Sequence, residues 1–104
     1  MENEKNYNHI TKYENILNQF DQKIQELAEL LRFFEEHSDE FVSLMDYYHS
    51  NQRQEDLEAE NRREIPVDLP RGVLSEDAIY NLYTDYREVS LKMLANGTRF
   101  FKEN

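Results

Sequence analysis

Asp46 and His49 stand three residues apart, the carboxylate–histidine spacing that metal-binding helical bundles place on one helix face. Such a centre needs two of these pairs and two further carboxylates, yet His9 and His37 have no acid three residues before them. A small metal-dependent or hydrolytic enzyme would have to draw on Asp46, His49 and the acids of residues 55 to 60. The plainer reading is a surface aspartate beside a solvated histidine. Ser75 ends Gly72-Val73-Leu74-Ser75, which is not a nucleophile elbow, and with no histidine near it in sequence it reads as a helix cap. Glu76 and Asp77 are neighbours, so on a helix they point about 100° apart and cannot face each other as a catalytic pair. No glycine-rich phosphate loop is present, and the absence of cysteine excludes thiol nucleophiles, disulfides, thiolate zinc sites and iron–sulfur clusters. The expectation is a chain with no catalytic centre and no cofactor.

Whatever these residues do must be positioned by 104 residues carrying 22 acids against 12 bases, a formal charge of −10. Acids outnumber bases by 11 to 4 over residues 2 to 46, by 6 to 4 over 47 to 75 and by 5 to 4 over 76 to 104. No basic face emerges, so neither nucleic acid nor an anionic membrane is an expected partner. A mean hydropathy of −0.95 approaches the disordered range. Against that, Leu, Ile, Val and Phe make up 26 of the 104 residues, and seven tyrosines add to them, enough for a core if they segregate. The chain opens on no basic head followed by an apolar run, and no apolar stretch approaches ~18 residues. The reading is a cytoplasmic protein.

Segregation is plain in the first half. Ile10, Tyr13, Leu17, Phe20, Ile24, Leu27, Leu31 and Phe34 recur at spacings of three and four without a miss. Neither Gly nor Pro occurs before residue 66. Ile16, Leu30 and Phe33 widen the stripe, which suits a bundle better than a thin two-stranded coil. A helix over about residues 4 to 36 follows. The repeat continues through Ser38, Phe41, Met45 and Tyr48, so residues 38 to 50 form a second helix or a continuation, with a kink favoured at His37-Ser38 and Ser38 as its cap.

Residues 51 to 64 are polar save Leu57 and Ala59, and read as a solvated, partly helical connector. Pro66 and Pro70 then bar a helix, while Ile65, Val67, Leu69, Val73 and Leu74 are apolar enough to pin residues 65 to 74 as an ordered loop. Ser75 caps a final helix over 75 to 96, with Glu76 and Asp77 in its first turn and Leu74 stapled to Ile79. Asn96-Gly97 supplies a left-handed stop, leaving 97 to 104 as a tail.

Arg71, between Pro70 and Gly72, either bridges to Asp56, Glu58 or Asp77 or offers its guanidinium to an acidic partner. Tyr47 and Tyr48 divide similarly, one in the core with its hydroxyl at the rim and its neighbour exposed for an interface. Arg71, Gly72, Ser75, Glu76 and Asp77 form one clasp, in which Gly72 takes backbone angles that a side chain resists.

The stretches Tyr47-Tyr48-x-Ser50, Asp56-x-Glu58-Ala59 and Ile65-Pro66-x-Asp68-Leu69-x-Arg71-Gly72-Val73-Leu74-Ser75-Glu76-Asp77-Ala78-Ile79-Tyr80-x-Leu82 resemble the small bacterial proteins of domain of unknown function family 4298. With the heptad helix, the resemblance spans about residues 10 to 95, and Arg71 to Asp77 is its most specific part. It departs from the family's pattern at Arg53, where a tryptophan is usual, at Leu57, where a tyrosine is, and at Arg63, where a glycine is. The resemblance implies a helical, cytoplasmic bacterial protein and carries no activity.

The expected architecture is all-α: a single helical domain, a helical hairpin or three-to-four-helix bundle, whose long first helix packs antiparallel against the last. Function then lies in binding an unidentified protein or a second copy. The first helix would be ~50 Å long at 1.5 Å per residue, against a radius of gyration of ~13 Å for a compact domain of this size. A homodimer through that helix would cover the overhang.

Overall fold

The computed structural model describes residues 6–104. Four helices follow one another, α1 (Asn8–Glu36), α2 (Ser38–Tyr48), α3 (Asn51–Asn61) and α4 (Ala78–Glu103), with a short 3-10 turn at Gly72–Leu74. No strand occurs among the described residues, and the fold is all-α. Two compact units divide the chain, one ending at Phe41 and the other running from Val42 to Asn104. None of the helices is long and apolar enough to cross a membrane.

In the first unit α1 is one uninterrupted helix of 29 residues. It begins at Asn8 rather than near residue 4, because the Asn6 side-chain oxygen accepts the Asn8 N–H (2.8 Å) and holds a turn ahead of the helix. Residues 4 and 5 lie outside the described residues. Side chains one turn apart brace its polar face: Gln22 donates to Glu26 (3.1 Å), Gln25 donates to Asp21 (3.2 Å) and Lys23 pairs with Glu26 (3.3 Å). No residue of α1 is buried.

Helix α1 ends at His37, whose N–H donates to the Phe33 carbonyl and whose φ of −110° and ψ of 16° leave the helical region. The imidazole stacks on Phe33 with centroids 4.4 Å apart, and its Nδ1 lies 2.9 Å from the Glu40 carboxylate. The break falls at the expected place, but Ser38 is not the cap. Its hydroxyl donates back to the Glu35 carbonyl (3.3 Å) and Ser38 is already the first residue of α2. Asp39 and Glu40 occupy that helix's first turn, where the backbone dipole favours negative charge.

In the second unit, Ser50 starts α3 with extended angles, its hydroxyl accepting the Arg53 N–H (3.1 Å) and donating to the Tyr47 carbonyl (2.6 Å). Helix α3 closes on Arg63 at φ 60°, the one positive φ among the described non-glycine residues. There the Glu64 N–H reaches the Ala59 carbonyl and the Arg63 N–H the Glu60 carbonyl, both at 3.0 Å, which is a Schellman closure. Beyond it the 3-10 turn packs on both α3 and α4. Ile79 at 3% exposure is the one buried apolar residue of the described chain.

Four expectations for this half need correction. Val67 is 91% exposed and Leu69 is also exposed, so of the loop's apolar residues only Ile65 and Leu74 are half-buried. Ser75 does not cap α4: the 3-10 turn runs to Leu74 and takes the Ser75 N–H on the Gly72 carbonyl (3.0 Å), which moves the helix start to Ala78. Asp77 stands at its cap position without a side-chain bond, Glu76 and Asp77 precede the first turn, and the Leu74 and Ile79 staple loses its register. Gly72 has no positive φ and open space where a Cβ would go, so nothing in its conformation requires glycine. The stop at Asn96-Gly97 is absent as well. Gly97 also lacks a positive φ, Asn96 donates to the Lys92 carbonyl (2.7 Å) and accepts from Arg99 (2.6 Å), and α4 continues to Glu103 where a tail was expected.

Candidate functional site

The second unit gathers its polar side chains where α2, α3 and the proline loop meet. Arg53, Asp56, Leu57 and Glu60 recur at helical spacing and are all half-buried, so α3 turns a largely polar face inward. Tyr47 donates its hydroxyl proton to Asp56 (2.6 Å), whose other oxygen accepts from Gln52 (2.9 Å). The Tyr47 hydrogen bond, reinforced by Gln52, holds the Asp56 carboxyl below its usual range. The same bond, with desolvation and the carboxylate charge beside it, raises the Tyr47 hydroxyl above its usual value.

Arg71 is structural in its contacts. Its Nε pairs with Glu60 at 2.9 Å and its Nη1 donates to the Pro66 carbonyl at 2.8 Å, tying the loop back onto α3. Glu60 is thus its partner, not Asp56, Glu58 or Asp77, because Glu60 lies on the inward face of α3 in its last turn. A pocket of about 470 Å³ opens beside this pair, walled by Ile65, Pro66, Leu69, Val73 and Leu74 with Tyr47, Asp56 and Arg71 at its polar side.

Tyr48 is half-buried like Tyr47, so neither tyrosine is freely exposed. The Arg53 guanidinium lies over the Tyr48 ring, 4.8 Å from its centroid, and the His49 ring meets Tyr48 edge-on at 5.0 Å. Arg53 also reaches the Ser75 carbonyl in a long 3.5 Å contact, while its Nε is buried without a hydrogen-bond partner. Asp46 and His49 are both exposed, and among the described residues no three His, Asp or Glu side chains converge as metal ligands. Gly72, Ser75, Glu76 and Asp77 are exposed as well. In the sequence Glu60 enters only among the acids of residues 55 to 60 and Arg53 only as a departure from the family's pattern; neither reads there as a contact of the loop, and their i, i+3, i+7 spacing with Asp56 is the signal that places them on one face.

The first unit presents a different surface. Its seam from Ile10 to Phe34 is exposed throughout, with Leu17 and Ile24 at 61% and Phe20 at 64%. Two rows flank it. Glu14, Asp21, Ala28 and Glu35 lie along one side, and His9, Ile16, Lys23 and Leu30 along the other.

Residues 10–96 match the family model described as a domain of unknown function, DUF4298. The chain belongs to that family. No curated protein and no solved structure matches it. Within a DUF4298 chain the structure gives two of the departures a physical setting. Arg63 occupies the left-handed position of the α3 closure, where glycine has no steric penalty. Arg53, where the resemblance leads one to expect a tryptophan, lays a planar cation on the Tyr48 ring. Leu57 is half-buried, and nothing further distinguishes it.

Proposed function

We propose that this chain is a protein–protein interaction module whose working surface is the apolar seam of α1. The observation that carries the reading is the exposure of eight large side chains, Ile10 to Phe34, at unbroken heptad spacing on a helix with no buried residue. Contiguous apolar surface of this size is a contact surface awaiting a helix. The polar side chains of the second unit favour the same reading. Tyr47 is paired with Asp56 and Arg71 with Glu60, which suits a structural clasp better than an acid–base site. Amide hydrogen exchange tests the proposal. In dilute solution the α1 amides exchange quickly, and they gain protection as the binding partner, including added copies of the chain, is supplied. Slow exchange of α1 in a chain kept monomeric by dilution would mean the seam is already covered, and the reading would fail.

A further inference from the structure

The charge pattern beside the seam points to one occupant, and we infer that a second copy of this chain covers it, α1 lying parallel and in register against α1 of its partner. This rests on the reading of α1 as a contact surface and goes further by naming what it contacts. With Ile10, Leu17, Ile24 and Leu31 at the first core position of each heptad, and Tyr13, Phe20, Leu27 and Phe34 at the second, the seam spans three and a half heptads.

The two flanks of that seam differ in charge. One carries Glu14, Asp21 and Glu35; the other, with His9, Ile16, Lys23 and Leu30, carries no acid. Parallel, in-register pairing sets each residue of the second row beside the residue five positions later on the partner's first row. His9 then meets Glu14 of the other copy, Ile16 meets Asp21, Lys23 meets Ala28 and Leu30 meets Glu35, and no acid meets an acid. Antiparallel pairing lays the acidic row against its own copy, in a chain that already carries −10. Size agrees. Eight seam side chains exposed to about half their area bring roughly 100 Å² each, on the order of 800 Å² per helix, which is one side of a standard stable interface.

The chain's lack of cysteine makes the test clean. Leu17→Cys, a conservative change on the seam, is oxidised in dilute solution and its mass read under denaturing, non-reducing conditions. Parallel pairing joins Leu17→Cys chains to each other in high yield. In a mixture with Leu27→Cys chains, joined products stay within each variant. A product linking the two variants, with no Leu17→Cys homodimer, shows antiparallel pairing and overturns the inference. Light scattering on the unmodified chain supplies the second measurement, with a mass of two chains expected. Leu17→Glu weakens this association by about 100-fold or more. A monomer whose α1 amides exchange quickly overturns the second copy as occupant while the contact surface stands; a monomer whose α1 amides exchange slowly overturns both.

Discussion

Helix α1 and the segment from Ser50 to Ile79 reach order by opposite routes. The first has eight large apolar side chains in register and buries none of them. The second has one buried apolar residue, Ile79, yet its path is held by polar contacts: Ser50 at the start of α3, Tyr47 on Asp56, Arg71 on Glu60 and on the Pro66 carbonyl, with backbone bonds closing the turns at Arg63 and Ser75. Apolar periodicity thus marks a surface able to pack, whereas directional hydrogen bonds close a particular turn. Under the proposed reading, fixing where the chain goes and offering a surface to bind are separate tasks, done by separate residues.

The contrast breaks most sharply if the seam is charged. Leu17→Glu combined with Ile24→Glu removes about 4 kcal/mol or more from α1 association and leaves the tyrosine near-UV signal of the second unit unchanged. Sedimentation equilibrium and circular dichroism read the two halves of that outcome. Next in size is the clasp. Arg71→Ala deletes the Glu60 pair and the Pro66 bond and lowers stability by about 1 to 2 kcal/mol, seen as a fall in melting temperature with the association of α1 unchanged.

A smaller effect runs in the stabilising direction. Arg63→Gly relieves the left-handed backbone at the end of α3 and raises stability by about 0.5 to 1 kcal/mol, again by thermal melting. The smallest is Tyr47→Phe, which is best read against pH. Because the Asp56 carboxyl is held below its usual value in the fold, its contribution is present above the ordinary carboxylate range and is lost as pH falls through its lowered value. Tyr47 has the reverse sign: its raised value contributes below the ordinary tyrosine pKa of 10.0 and is lost as pH rises through the folded value. Denaturant melts across pH in the variant lose the alkaline slope and keep only the part of the acid slope that the Gln52 bond to Asp56 supplies, while Arg71→Ala keeps both.

Helix α1 and the break at His37 were legible because both follow local rules, the spacing of apolar residues and the interruption of a heptad at a polar pair. The inward face of α3 was not. Periodicity is sought in apolar residues, and here Arg53, Asp56 and Glu60 occupy three of the five half-buried positions of α3, so the segment read as a solvated connector. Arg71 stood out in sequence as a bridge, but its partner depends on which acid α3 turns toward the loop. Ser75 and Gly97 misled for a common reason. A capping serine and a helix-ending glycine are preferences, and the 3-10 turn before α4 and the continuing hydrogen bonds through Asn96 overrode them.

The left-handed closure of α3 also has a consequence for proteolysis. Arg62 and Arg63 stand exposed where helical bonding ends, a dibasic step on a turn that already strains the chain. Arg62 is partly shielded by its two bonds to Glu64, at 2.7 and 3.3 Å, whereas Arg63 has the strained backbone. A trypsin-like enzyme would nick the folded protein after Arg63 before reaching its helices. The Arg71 and Glu60 pair, the packing of the 3-10 turn on α3 and the Arg53 contact to the Ser75 carbonyl all cross the cut, so they would hold the fragments together and the ion pair would contribute to the lifetime of the nicked form.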